Sequence, residues 1–258
     1  MIIDFHTHIF PEKIASRAIS GMQAVSHAAA FCDGTLAGLQ ASMKNAGVAY
    51  SVVLPVATNP AKLTSMNDAA IALNGKDGIF HFGAVHPLAE NWKQELDRIA
   101  AAGLKGIKIH PDSQGFSIDD PRLYPMYEII RGRVPIMLHM GDKRYNYSHP
   151  IKLRKILDMF PGLDAIAAHF GGYSMYDTAL ELLKDTNCVM DVSSSLMFMG
   201  EGKAEYYVNQ YGAERLAFGT DYPMWDPILE TRRFFDLKLT ESQFEQIAHK
   251  TAERILRL

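Results

Sequence analysis

Short apolar runs alternate with longer amphipathic segments along almost the whole chain, and this alternation limits the possible folds more than any other feature. Eight runs have the length and composition of buried strands, at residues 1–6, 49–56, 79–85, 106–110, 134–139, 165–169, 188–192 and 216–220. Strands that are separated by helices run parallel to one another. Eight β/α units in about 250 residues predict a closed (β/α)8 TIM barrel of the α/β class. An open, doubly wound sheet is the alternative.

Amphipathic segments predict the helices that connect these strands, at residues 36–45, 66–74, 92–101, 123–131, 151–159, 176–183, 204–211 and 228–235. The stretch 241–258 has apolar residues at helical spacing and predicts an additional C-terminal helix on the outside of the barrel. Neither a low-complexity tract nor a long Pro, Gly and Ser linker interrupts the pattern. We therefore expect one domain, residues 1–258.

Charge and cysteine content narrow the class of function. The chain has 26 Lys and Arg against 29 Asp and Glu, a net charge of -3, so nothing attracts the whole protein to nucleic acid or to anionic membranes. No apolar stretch approaches the roughly 20 residues that span a bilayer, and the chain opens with MIIDFHTH instead of a targeting segment. The two cysteines are too few for a disulfide framework. We expect a cytoplasmic protein with a small-molecule substrate, and homo-oligomerisation stays open.

Histidines and an aspartate recur where the predicted strands end, which is where TIM barrels carry their active sites. They are His6 and His8 after the first strand, His110 after the fourth, His139 after the fifth, His169 after the sixth and Asp221 after the eighth. Because side chains alternate between the two faces of a strand, Asp4, His6 and His8 are expected to point into the barrel. Ile3 and Phe5 would then pack on the helices.

The same alternation applies to the fourth and sixth strands. In GIKIHP it places Lys108 and His110 together on the inner face. In AIAAHFGG it places His169 on the face opposite Ile166 and Ala168. The polar side chains are therefore expected to converge in the mouth of the barrel.

Several imidazoles and a carboxylate that meet in a barrel mouth are costly to bury without partners, and a divalent cation is the simplest partner. Ligands that are mostly nitrogen favour zinc over magnesium or calcium. An ordinary core or surface role is the better expectation for the histidines outside these strand ends. These are His27, His81, His149 and His249. His86, in AVHP at the end of the third predicted strand, is compatible with either the metal site or an ordinary role.

Five segments of the chain resemble the metal-dependent amidohydrolase superfamily. They are IIDFHTHIFP, GIKIHP, LHMG, AHFGG and FGTDYP, in that order. Together they are similar to the amidohydrolase-related branch, which includes aminocarboxymuconate semialdehyde decarboxylase and related lactonases. TatD-type DNases also open with His-x-His, but their pattern has a ligating glutamate at the fourth strand, where this chain has Lys108 and His110. The downstream motifs therefore favour the amidohydrolase-related branch.

The resemblance implies roles for these residues. His6, His8, His139 and Asp221 would bind one divalent ion, expected to be zinc. His169 would stand beside the ion as an acid, a base or a carbonyl polariser, and Asp221 would also transfer the proton.

Four further residues are expected to contact the substrate: Lys108, His110, Lys143 and Arg144. Lys108, which shares its face with His110, would either bind a substrate carboxylate or, if carboxylated, bridge two metal ions. If Lys108 has only a structural role, it would instead form a salt bridge with Asp4 or Asp191. Lys143 and Arg144, in the loop after the fifth strand, would bind an anionic substrate unless they only form a solvated loop surface.

The same residues are compatible with three functions. The expectation from the sequence is hydrolysis, in which a metal-activated water attacks an amide, ester or lactone carbonyl of a small, anionic substrate. The second is metal-dependent, non-oxidative decarboxylation of an unsaturated or aromatic carboxylic acid, which additionally requires a bound substrate carboxylate. The third is a metal-binding scaffold without catalytic activity.

Overall fold

The computed structural model describes residues 1–258, except for the side chain of Val25. Within this described part, short parallel strands follow one another in chain order around the molecule. They are β1 (Ile3–Thr7), β2 (Tyr50–Val53), β3 (Ile79–His81), β4 (Gly83–Ala84), β5 (Ile107–Ile109), β6 (Ile136–Leu138), β7 (Ala165–Ala167), β8 (Val189–Asp191) and β9 (Leu216–Ala217). All of the predicted strands are present, and each is shorter than predicted.

The strands close into a barrel. Phe82 interrupts one predicted strand, but its N–H donates to the carbonyl of Val53, so β3 and β4 together form the third strand of the barrel. At the other seam, the N–H of Phe5 donates to the carbonyl of Phe218 at 2.8 Å. Thr7 pairs in parallel with Tyr222 at the same seam. The predicted (β/α)8 barrel is therefore confirmed.

Helices follow the strands and cover the barrel. They are α1 (Glu12–Ser26), α2 (Leu36–Ala46), α3 (Leu63–Leu73), α4 (Trp92–Ala101), α5 (Pro111–Gln114), α6 (Tyr124–Ile130), α7 (Pro150–Met159), α8 (Tyr176–Leu183), α9 (Lys203–Tyr211), α10 (Pro227–Phe235), α11 (Glu241–Glu245) and α12 (Thr251–Leu256). The sequence did not predict α1. Of its described side chains only Ala15 is buried, so α1 contributes little to the core.

Two large apolar clusters and a small third one fill the fold. One combines side chains of β1, β2, β6, β7, β8 and β9, and only the inside of the barrel is reached from all of these strands. The other combines the opposite faces of the strands with the helices. Ile3 and Phe5 belong to the inner cluster, as do Ile166 and Ala168. The predicted outward direction of Ile3 and Phe5 in β1, and of Ile166 and Ala168 at β7, was therefore wrong.

An irregularity in β1 explains part of this error. The pairing of β1 with β2 shifts register between Asp4 and Thr7, which breaks the regular alternation of side chains. Asp4 accepts hydrogen bonds from the N–H of Thr220 at 2.9 Å and from its hydroxyl at 2.6 Å. Asp4 thus joins β1 to the segment after β9, at the seam of the barrel.

The predicted C-terminal helix is confirmed as α11 and α12, joined by a π-helical turn, Gln246–Lys250. Ile247 and Ala248 pack in the outer cluster, whereas Ala252 and Leu256 pack against the inner one. Among the described residues, no helix combines the length and apolarity that crossing a membrane requires. The expected single domain, cytoplasmic location and oligomeric state stay predictions.

Candidate metal centre and active site

Backbone geometry at the strand ends turns several polar side chains into the barrel mouth. His169, Ser194 and Asp221 have φ angles of 61°, 51° and 62°, in the left-handed region that residues other than glycine rarely adopt. His169 follows the inward-facing Ala168, so regular alternation would direct it outward; its left-handed backbone accompanies the observed inward direction. Unusual backbone conformations of this kind cluster at functional sites.

His6, His8 and Asp221 converge at the mouth. The Nε2 atoms of the two imidazoles are 3.2 Å apart. Asp221 Oδ1 lies 3.3 Å from His8 Nε2 and 3.6 Å from His6 Nε2. The three atoms thus form a compact group that one metal ion can contact.

The hydrogen bonds at the far side of each ring fix which nitrogen carries the proton. His8 Nδ1 is 2.6 Å from the carbonyl oxygen of Leu54, which can only accept, so Nδ1 carries the proton. His6 Nδ1 is 2.8 Å from Asp191 Oδ2 and is protonated for the same reason. Burial, assisted by the charge of Lys108, lowers the pKa of His6 to about 4, so its ring is neutral. Nε2 of His6 therefore presents a lone pair, and Nε2 of His8 is the ring nitrogen left to bind an ion.

This geometry fits a metal ion. Two imidazole nitrogens and a carboxylate oxygen face one another at 3.2–3.6 Å. Two ring nitrogens can lie this close only when a proton or a cation lies between them or beside them, and a divalent cation satisfies all three atoms at once. Neutral imidazoles whose far nitrogens are hydrogen-bonded, together with a carboxylate, are the ligands that zinc and related divalent ions take.

Asp191 supports this centre, and the sequence considered it only as a partner for Lys108. Its Oδ2 binds His6 Nδ1, and its Oδ1 accepts from the N–H of Ser193 at 2.9 Å and from that of His169 at 3.2 Å. Burial would raise the pKa of Asp191, but His6 and these hydrogen bonds hold it well below its usual range. A carboxylate behind a metal-binding histidine orients the ring and raises its basicity. The sequence feature that could have pointed to Asp191 is the presence of an acidic residue inside the apolar run CVMDV.

Replacing Asp191 by asparagine is expected to weaken metal binding by roughly 10- to 100-fold, because the amide holds the His6 ring less firmly than a carboxylate. Competition with a chelator measures the affinity directly. Asp185→Asn is the matched control, since Asp185 is exposed just before β8. Unchanged affinity in a folded Asp191→Asn protein would show that Asp191 has only a structural role.

His139 and His169 form a second pair beside this group. His169 Nδ1 lies 3.2 Å from the carbonyl oxygen of Ser193, and its Nε2 lies 3.1 Å from His139 Nδ1. The rings of His6 and His169 stack with centroids 5.0 Å apart. His169 is thus adjacent to the candidate centre, as predicted. His139 lies beside His169, outside the compact group of His6, His8 and Asp221, and its role as a ligand stays a prediction.

His110 and Asp112 lie on the other side of His139. Asp112 Oδ2 is 3.7 Å from His139 Nε2, and the sequence did not single out this residue. The rings of His110 and His139 stack at 3.8 Å with only 10° between their planes. Because an imidazole directs its lone pair within the ring plane, two stacked rings cannot both point at one ion. The three residues therefore do not form a second metal site in this arrangement.

Lys108 is fully buried in the barrel. Its Nζ has no hydrogen-bond partner among the described residues, so the salt bridge to Asp4 or Asp191 that the sequence left open is not formed. Burial lowers the pKa of Lys108 to about 8, while the charges of Asp191 and Asp221 oppose this shift. The ammonium thus remains charged near neutral pH, and its carboxylation stays untested.

Lys143 and Arg144 are exposed in the loop after β6. Arg144 donates from Nε to Asp142 Oδ1 at 2.8 Å and from Nη1 to the carbonyl of Ser26 at 3.2 Å, which ties the loop to the end of α1. These contacts give Arg144 a structural role in the loop. Binding of substrate by Lys143 and Arg144 stays a prediction.

Comparison with known proteins now identifies the family. The family model for amidohydrolases matches residues 3–258. The chain belongs to the amidohydrolase family. The family that the five sequence motifs indicated is thereby confirmed. No curated protein sequence matches this amidohydrolase-family chain.

Several solved structures share its fold. An uncharacterised TIM-barrel protein from Bordetella bronchiseptica is 20% identical, with a TM-score of 0.79 over 99% of this chain and 98% of that chain. The 2,6-dihydroxybenzoate decarboxylase from Rhizobium is 17% identical, with a TM-score of 0.76 over 99% and 98%. A dihydroxybenzoic acid decarboxylase from a Polaromonas species, with bound manganese and the inhibitor 2-nitroresorcinol, is 14% identical, with a TM-score of 0.77 over 100% and 97%. At these identities the likeness concerns the fold.

Proposed function

We propose that this amidohydrolase-family protein is a metal-dependent, non-oxidative decarboxylase of an aromatic or unsaturated carboxylic acid. The observation that carries the proposal is the buried, unpartnered ammonium of Lys108. Two of the similar structures described above are decarboxylases and support it, since they act within the same fold on dihydroxybenzoic acids. Decarboxylation thus replaces hydrolysis, which the sequence favoured, as the leading function.

Lys108 favours decarboxylation because of what each reaction requires. Hydrolysis of an ester, amide or lactone needs the metal centre but no substrate carboxylate. Decarboxylation needs a carboxylate that is held in place. A buried ammonium without a partner is costly, and a carboxylate that forms a charge-assisted hydrogen bond with it removes that cost. The free protein therefore already holds a charge that complements a carboxylic acid.

One divalent ion would be held by His6, His8 and Asp221, with His139 as the fourth ligand that the family resemblance implies. It would supply Lewis-acid polarisation of a substrate oxygen next to the carboxylate. The nitrogen-rich ligands favour zinc, whereas the Polaromonas decarboxylase holds manganese. Elemental analysis of the purified protein distinguishes the two.

The chain's own residues would direct the proton. In the reaction the bond between the ring carbon and the carboxylate breaks, its electron pair stays on the ring carbon and takes up a proton, and carbon dioxide leaves. Burial lowers the pKa of His169, which is therefore neutral, and its Nε2 faces His139 Nδ1 at 3.1 Å. Asp221 is ionised, because His6 and His8 hold its pKa well below its usual range despite burial. Asp221 would take a proton from the substrate or from water and return it to the carbon.

The test compares acids with their esters. Metal-loaded protein is incubated with 2,6-dihydroxybenzoate, related hydroxybenzoates and their methyl esters in deuterated water. We expect carbon dioxide and an arene with deuterium at the vacated carbon from at least one acid, and no turnover of the esters. Chelation should abolish the reaction, and Mn²⁺ or Zn²⁺ should restore it. Ester or lactone hydrolysis without carbon dioxide release, or an intact metal centre without any turnover, would overturn the proposal.

A further inference from the structure

The second carboxylate oxygen of Asp221 is held by a short hydrogen-bond chain. Ser194 Oγ lies 2.5 Å from Asp221 Oδ2, and the indole nitrogen of Trp225 lies 2.7 Å from Ser194 Oγ. An indole N–H can only donate, so Ser194 accepts from Trp225. The single hydroxyl proton of Ser194 is then free to donate to Asp221. The chain therefore has one defined direction, from Trp225 through Ser194 to the carboxylate.

Ser194 is specialised for this contact. It is buried, and its φ of 51° lies in the left-handed region, which is unfavourable for a serine. The two neighbouring serines use their hydroxyls elsewhere: Ser193 binds Asp191, and Ser195 donates to the carbonyl of Ser193 at 2.8 Å. Of these three side chains, only that of Ser194 contacts Asp221.

Trp225 connects this hydrogen-bond chain to the rim of the barrel mouth. Its ring lies 6.0 Å from that of Phe31 and 5.7 Å from that of Phe198, centroid to centroid. Phe31 and Phe198 are more than half exposed. The indole is thus held by ring contacts on two sides while its N–H points inward at Ser194.

We propose that Ser194 and Trp225 are positioning residues that hold Asp221 Oδ2, so that Oδ1 alone faces His6 and His8. This inference rests on the metal centre of the proposed function. Without the hydrogen bond to Oδ2, the carboxylate is free to rotate about its Cβ–Cγ bond, and the ion loses a pre-oriented ligand. Ser194 and Trp225 therefore determine how tightly the ion binds.

The experiment measures the affinity for Mn²⁺ by competition with a chelator. Ser194→Ala removes the hydroxyl, and Trp225→Phe removes the N–H while keeping an aromatic ring against Phe31 and Phe198. Each change is expected to weaken binding by about 10-fold, the effect of losing a hydrogen bond to a charged group. The double variant should be no weaker than Ser194→Ala, because both residues act through one hydrogen bond.

Two further variants separate positioning from folding. Ser194→Gly removes the hydroxyl but also relieves the left-handed backbone, so it should be at least as stable as Ser194→Ala and show the same loss of affinity. Ser195→Ala is the matched control, and its affinity should not change. The protein has two tryptophans. In a Trp92→Phe background, Mn²⁺ should alter the emission of Trp225, and Ser194→Ala should abolish that response.

The outcomes distinguish this inference from the proposed function. Loss of affinity in Ser194→Gly without decarboxylation of any acid supports the positioning role and rejects the reaction. Decarboxylation by a Ser194→Gly protein that binds Mn²⁺ as tightly as the wild type rejects the positioning role. Failure of the wild-type protein to bind Mn²⁺, or equal losses in Ser195→Ala, also overturns it.

Discussion

Asp221→Asn is expected to lower kcat by about 10³-fold, because general acid-base catalysis contributes roughly 10²- to 10⁴-fold and an amide cannot carry the proton. The amide oxygen remains able to face His6 and His8, so at saturating Mn²⁺ the variant should still hold the ion. Elemental analysis and kcat, measured on the same preparation, separate the two effects.

Asp226→Asn is the control for Asp221→Asn. Asp226 caps α10 by accepting from the N–H of Ile228 at 2.9 Å, and asparagine caps a helix equally well. This variant should therefore keep both kcat and metal content. If Asp221→Asn also keeps a kcat near that of the wild type, Asp221 is only a ligand and another group moves the proton.

Lys108→Met is expected to change activity and stability in opposite directions. Loss of a charge-assisted hydrogen bond to the substrate should lower kcat/KM for a carboxylic acid by about 100-fold. The variant should also be more stable, because methionine fills the same apolar space without a buried charge. A shift of the Lys108 pKa from 10.5 to about 8 corresponds to about 3 kcal/mol, an upper estimate of the gain.

The pH dependence of stability tests the same residue. The pKa of Lys108 is lower in the folded than in the unfolded protein, so between about 8 and 10.5 the unfolded chain binds the additional proton. The wild type should therefore gain stability as the pH rises through this range, and its deficit relative to Lys108→Met should be largest below pH 8. Urea unfolding of metal-free protein measures this difference.

Lys105→Met provides the control for Lys108→Met, since Lys105 is partly exposed just before β5. It should alter neither the pH dependence nor kcat/KM. A Lys108→Met protein that is less stable than the wild type, or equally active on acids, would show that a protein or solvent partner satisfies the ammonium.

The sequence alone determined the architecture and predicted the strand ends where the candidate site lies. Parallel strands that are covered on both faces must be apolar throughout, so each of the eight strands can be recognised in the sequence as a short apolar run. A polar residue that ends such a strand has few positions other than the barrel mouth, which is why His6, His8, His169 and Asp221 were identified.

Only the tertiary structure decided how these side chains meet. Sequence alternation assumes a regular strand, but β1 shifts register between Asp4 and Thr7, and His169, Ser194 and Asp221 adopt left-handed backbone conformations. These local departures depend on neighbouring strands, so no pattern within one segment reveals them.

The supporting residues were missed for a related reason. Asp191 contacts His6 across 185 positions of sequence, and Ser194 contacts Asp221 across 27. A serine or aspartate near a strand end is common, and its role depends on which atom of a distant residue it reaches. The sequence therefore predicts the groups that can bind a metal ion, whereas the closed barrel determines which hydrogen bonds orient them.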